Sequence, residues 1–121
     1  MLKKNSPTEI ILEGTFDENT TCFFIVEKRH RKAFIKNLAY KLMRSGCRQF
    51  EFYGKYSEKW QDIFIDADIE INPLPDINTI ALVLAWEDKA DFWDSVEFNN
   101  RKRAHFFFDT MKALKMKAPD K

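Results

Sequence analysis

The sequence predicts a small three-layer α/β/α sandwich with a mainly parallel sheet. Three observations lead there. Residues 21–26, 48–53 and 79–86 are short runs rich in aromatic, aliphatic and β-branched residues, each with the length of a strand. The stretches between them carry apolar residues at helical spacing, and strands joined by helical crossovers pair in parallel. The first and third runs are apolar almost without interruption, the pattern of strands covered on both faces.

Taken in order, residues 1–8 are polar, include Pro7 and read as a tail. Glu9-Ile10-Ile11-Leu12-Glu13, closed by Gly14, reads as an extra N-terminal edge strand or a hairpin arm. Asp17-Glu18-Asn19 supplies turn chemistry before the first secure strand, Thr21 to Val26. The next segment, from about His30 to Arg44, places Phe34, Ile35, Leu38, Ala39, Leu42 and Met43 on one helical stripe. Gly46 supplies the left-handed residue that stops it. Arg48 to Tyr53 alternates, with Phe50 and Phe52 on one face and Gln49, Glu51 and Tyr53 on the other.

A second helix is predicted from Ser57, its N-cap, to about Asp68, with Trp60, Ile63, Phe64 and Ala67 as its stripe. Asn72-Pro73-Leu74-Pro75-Asp76 excludes helix and interior strand. Thr79 to Trp86, the most apolar run, is expected to be the central strand. Asp88 caps a short third helix containing Ala90, Phe92, Trp93 and Val96, with Asp91 in its first turn. Asn99 or Asn100 caps a last helix to about Lys117, with Ala104, Phe107, Phe108, Met111 and Leu114 as its stripe.

Across about residues 20–117 this order is similar in outline to Rossmann-like and flavodoxin-like architectures, without the specific motif of any family. With the secure strands numbered in chain order, 2-1-3 puts the two most apolar strands side by side and a topological switch point between them. The chain reads as a single domain, 1–121, with an ordered core over about 9–117 and tails at 1–8 and 118–121.

Composition narrows the function. A hydrophobic fraction of 45%, 12 Phe, 3 Gly and 4 Pro oppose disorder. A net charge of +1 opposes a general nucleic-acid coat, so no nucleic-acid partner is expected. The charge is divided, however. Residues 1–60 hold 12 Lys/Arg and 7 Asp/Glu, residues 61–121 hold 8 and 12, and residues 61–100 carry 10 acids against Lys89 alone. No apolar run approaches the roughly 18 residues that span a bilayer. Met1-Leu2-Lys3-Lys4-Asn5 lacks the apolar segment of a signal peptide. No membrane partner and a cytoplasmic location are expected, with Cys22 and Cys47 as reduced core thiols.

In open α/β sheets the ligand crevice lies beyond the carboxyl ends of the strands, at the switch point. That rule selects Glu27, Lys28, Arg29 and His30 after the first strand and Trp86, Glu87 and Asp88 after the third, with Tyr53, Lys55 and Tyr56 as a wall. Lys28-Arg29-His30-Arg31-Lys32 is a basic run where a helix start favours the opposite sign. It contains no glycine, which opposes a phosphate-cradling loop. Each misplaced cation costs only tenths of a kcal/mol to about 1 kcal/mol, small enough for a merely solvated face. His30 and His105 lack zinc-site spacing, and Asp88 and Asp91 have a sufficient role at a helix start, so no metal, no cofactor and no catalytic set are expected.

The expected function is a non-catalytic binding or regulatory module, of which an inhibitor or immunity-type protein is one form. Its charged and aromatic surfaces engage a protein partner or a second copy, with Trp93, Phe98 and Phe106 as contacts. The alternative is a small enzyme or sensor for an anionic metabolite, with Lys28, Arg29 and His30 holding the anion and Glu87 or Asp88 as base. On either reading Lys28, Arg29 and His30 stand across a crevice from Glu87 and Asp88.

Overall fold

The computed structural model describes residues 2–4, 10–12, 16–72, 80–98, 103–108 and 115–116. Its elements are β1 (Leu2–Lys4), β2 (Ile10–Leu12), β3 (Thr20–Ile25), α1 (Lys32–Arg44), β4 (Gln49–Tyr53), α2 (Ser57–Ile71), β5 (Leu82–Trp86), α3 (Lys89–Phe98), β6 (Arg103–Phe108) and β7 (Lys115–Met116). The main sheet has the order β5-β4-β3-β6-β7. Its first four strands are parallel, and β7 returns antiparallel to β6. Leu2–Lys4, inside the stretch read as a tail, pairs antiparallel with β2 in a separate two-stranded sheet, so residues 10–12 form a hairpin arm rather than an edge of the main sheet.

The α/β fold with its parallel sheet is as the sequence predicts, but the strand order 2-1-3 is corrected. The three expected strands lie in the order third, second, first, and β3 gains its other neighbour from β6. The reason lies in residues 103–108, read as part of a helix. Ala104, Phe107 and Phe108 do fit a helical stripe, yet the same six residues contain three adjacent Phe, which suit a strand apolar on both faces. Periodicity alone does not separate the two for so short a run. Once β6 takes the place beside β3, β5 is an edge strand instead of the central one. Thr79, Asn99, Asn100, Met111 and Leu114 lie outside the described residues.

The helices divide between the faces as right-handed crossovers require. From β3 through β4 to β5 the chain moves in one direction across the sheet, and α1 and α2 cover one face together. The step from β5 to β6 reverses direction, and α3 covers the other. On the first face Cys22, Phe24, Val26, Phe50 and Phe52 meet Phe34, Ile35, Leu38, Leu42, Trp60 and Phe64 in one continuous core. Phe24 stacks on Phe52 at 4.9 Å, and Phe64 sets its edge on both. Among the described residues, the apolar cluster on the second face has Phe23 and Phe92 as its buried members, with Ile25, Tyr53, Trp86, Trp93 and Val96 partly covered around them.

Local signals account for the helix ends. All six predicted stripe residues of α1 are buried. The helix starts at Lys32 because Arg31 is still extended, at φ −66° and ψ 144°, and no side chain caps it. Gly46, at φ +105°, closes it as its N–H donates to Met43 O at 3.0 Å. Ser57 is the first residue of α2 rather than its cap, and α2 continues through Ile69 to Ile71. Lys36 Nζ on α1 pairs with Glu70 Oε1 on α2 at 3.1 Å. The Tyr40 hydroxyl also donates to Glu70 and, with Lys36, holds that carboxyl below its usual range. Among the described residues, no helix is long and apolar enough to cross a membrane.

Candidate functional site

A crevice of about 510 Å³ opens at the carboxyl ends of β3, β4 and β5, lined by Glu27, Tyr53, Gly54, Lys55, Ser57, Glu58, Trp86 and Glu87. Its floor is a tight turn. Val26 N–H donates to Tyr53 O at 2.8 Å, and Tyr56 N–H donates to Val26 O at 3.1 Å. A Cβ on Gly54 would stand 2.7 Å from Val26 O, and Gly54 has φ +121°, so only glycine lets the turn after β4 lie this close to β3. The Glu27 carboxyl accepts the Lys55 N–H at 3.2 Å. Lys55 Nζ lies over the Tyr56 ring, 5.5 Å from its centroid. Three carboxyl groups against one ammonium favour cations in the crevice, and Tyr53 and Trp86 add π faces.

Beneath Trp86 lies a polar group inside an apolar layer. Glu51 is 1% exposed. Its Oε1 accepts the Trp86 indole N–H at 2.8 Å and the Ser95 hydroxyl at 2.6 Å, while Oε2 accepts Gln49 Nε2 at 3.0 Å. These bonds fasten β4, β5 and α3 together and fix the indole that walls the crevice. Alternation along β4 does place Glu51 beside Gln49 and Tyr53, but a lone acid on an alternating strand reads as solvated. Only the packing of α3 buries it.

The predicted site residues separate. Tyr53, Trp86 and Glu87 line the crevice, as does Lys55, whereas Gly54, Ser57 and Glu58 were not among those expected. Lys28 and Arg29 are exposed in the loop after β3. His30 turns inward, stacked on Phe34 at 5.2 Å and edge-on to Trp60 at 5.8 Å, and its carbonyl accepts Lys59 Nζ at 2.8 Å. Asp88 caps α3, with Oδ1 accepting the N–H groups of Ala90 at 2.7 Å and Asp91 at 3.3 Å. Of the residues expected to face one another across the crevice, Glu87 lines it, Lys28 and Arg29 are exposed in the loop beside Glu27, His30 packs inward and Asp88 caps α3, with β4 lying between β3 and β5. The switch point accordingly falls between β3 and β6. Among the described residues, no group of three or more His, Cys, Asp or Glu is placed to hold a metal ion. Cys22 and Cys47 are buried free thiols. Burial, with the hydrogen bond its thiol donates to Cys47, pushes Cys22 well above the usual thiol range.

The sequence model of one protein family, described as a domain of unknown function (DUF7684), matches residues 3–118. The chain belongs to the DUF7684 family. No curated protein and no solved structure matches it.

The second notable place in this DUF7684 domain is the free edge of its sheet. Among the described residues β5 pairs with β4 alone. Leu82 is 49% exposed and Ile80 is 50% exposed. Tyr53 stacks on Phe92 at 5.6 Å and Glu51 bonds Ser95, so α3 runs back along the sheet. One further turn brings Phe98 to the level of Gln49 and Leu82. Phe98 is 79% exposed there. Of the other expected contacts, Trp93 is half-buried with its ring 5.3 Å from Phe92. Phe106 sits opposite Phe23 in the register of β6, and its side chain lies outside the described residues. On the other side of the edge, α2 reaches over β5. Gln61 Nε2 donates to Val83 O at 3.2 Å, and Asp68 Oδ2 accepts the Ala81 N–H at 3.3 Å. Exposed Ile65 and Ile69 lie on the same outer flank of α2.

Proposed function

We propose that this DUF7684 domain is a non-catalytic protein-binding module that docks its partner on the β5 side of the sheet. The observation that carries this reading is the placement of the most apolar strand at a sheet edge, with Ile80 and Leu82 exposed along it and Phe98 exposed at the end of α3. Exposed apolar clusters rimmed by charge mark partner contacts. Groups that could otherwise serve chemistry have structural work here. Asp88 caps α3, Glu51 binds Trp86, Ser95 and Gln49, and the His30 ring packs on Phe34. The acid-rich segment 61–100 would steer a basic partner, as an inhibitor or immunity-type protein requires. A small anion in the crevice is less well supported, since it would meet Glu27, Glu58 and Glu87.

A photo-crosslinking residue placed at position 82, 98 or 41 in the native host tests the reading, because Lys41 is exposed on the far side of α1. One adduct of the same mass from positions 82 and 98, and none from 41, is expected. No adduct from 82 and 98, or equal labelling from 41, would overturn it.

A further inference from the structure

Resting on the binding-module reading, we propose that the β5 edge receives an extended basic segment of the partner as an added strand. The ladder fixes which backbone groups are offered. Leu82 N–H donates to Arg48 O at 2.7 Å, and Leu82, Leu84 and Trp86 stand opposite Gln49, Glu51 and Tyr53. In a parallel ladder the N–H and C=O of one residue point to the same side, so those three residues bond β4 while Val83 and Ala85 point theirs outward. Gln61 already accepts the role of a neighbouring strand at Val83 O, and Asp68 does so at Ala81 N–H. The Val83 N–H and both backbone groups of Ala85 continue that row. A partner strand pairs with them, and its N–H can replace the Gln61 side chain at Val83 O.

Side chains select the chemistry of that strand. Toward one face it meets Ile80, Leu82 and Phe98, and toward the other Ile65 and Ile69, so it needs apolar residues on both sides. Around these stand Glu58, Asp62 and Asp66 on α2, Glu87 and Asp88 after β5, and Asp91 and Asp94 on α3. Lys89 is the single cation in residues 61–100. A second copy of the chain would bring acids against acids, whereas Lys and Arg on a partner strand complement them. Edge strands are usually guarded by an inward charge, a Lys or a Pro. From Ile80 to Trp86 this strand has none.

The test uses the full chain and an acetylated heptapeptide of three consecutive valines between lysine pairs, which offers apolar side chains to both faces, with its glutamate counterpart for comparison, followed by amide hydrogen exchange. Saturable binding of the lysine peptide that slows exchange at Val83 and Ala85 is expected. Binding should weaken severalfold when salt is raised. Ala85→Pro removes one outward N–H without touching the β4 ladder and should weaken binding roughly tenfold. If that variant melts early, protection of Val83 and Ala85 in the unaltered chain decides. Unchanged exchange at both amides, or equal binding of the glutamate peptide, would overturn the proposal. So would a dimer whose Ala85 amide is protected without peptide, which assigns the edge to a second copy. Unprotected amides together with a retained cross-link at position 82 would sink the added strand and leave the binding module standing. Loss of the cross-link itself would remove the module.

Discussion

The two faces of one sheet differ sharply in this domain. The face under α1 and α2 is dry. Cys22, Phe24, Phe50 and Phe52 are fully buried there, and Phe24, Phe52, Trp60 and Phe64 form an aromatic cluster. Among the described residues, the face under α3 is covered by one helix of 10 residues, against 13 and 15 on the first face. It holds a buried carboxyl, half-buried indoles and the exposed start of β5. Burial of apolar area is the main stabilising term, so stability belongs mostly to the first face. The second face and its open edge keep apolar surface available to a partner.

The contrast predicts a graded series of substitutions. Phe52→Ala opens a cavity among Phe24, Trp60 and Phe64 and should cost about 3–5 kcal/mol. Urea unfolding measures it, and a loss comparable with that of an exposed residue would deny the first face its role. Glu51→Ala leaves the Trp86 N–H and the Ser95 hydroxyl without their acceptor and should cost about 2–4 kcal/mol. Glu51→Gln retains an acceptor oxygen and should recover much of that loss. If the two variants are equally stable, the network is not what holds α3 in place.

Cys22 adds a smaller, pH-dependent effect. Its thiol titrates higher in the folded chain than in the unfolded one. The unfolded state therefore releases this proton first, and the contribution is present below about pH 9, the ordinary thiol value, and is lost as pH rises above it. Thiol-specific reagents at pH 8 should label Cys22 only as fast as the domain opens. Prompt labelling of the folded chain would contradict the burial of that face.

How much of this was legible follows from how local each feature is. The α1 stripe from Phe34 to Met43, the stop at Gly46 and the cap at Asp88 are written in residues a few positions apart, and the structure repeats them. Strand order is not local. The apolarity of residues 79–86 reads as a central position, but it equally fits an edge strand flanked by α2 on one face and α3 on the other. The Phe run at 106–108 satisfied helical and extended patterns alike, and only its pairing with β3 decides between them. Of the site, the rule about strand ends found Tyr53, Trp86 and Glu87. It could not show that β4 separates the basic loop from the acidic one, or that Glu51 lies under a helix.

Leu82→Asp stands at the small end of the series and tests the division most directly. Because Leu82 is half exposed at the edge, the change should alter stability by less than about 0.5 kcal/mol, or about 2 °C in Tm. An added acid at the docking edge should nevertheless repel neither fold nor sheet but deny the partner its apolar contact. The decisive measurement is the cross-link from position 98 in a chain carrying Leu82→Asp, read beside its melting curve. The adduct should disappear while Tm holds. An adduct of undiminished yield, or a melting point that collapses like that of Phe52→Ala, would contradict the assignment of recognition to the β5 edge.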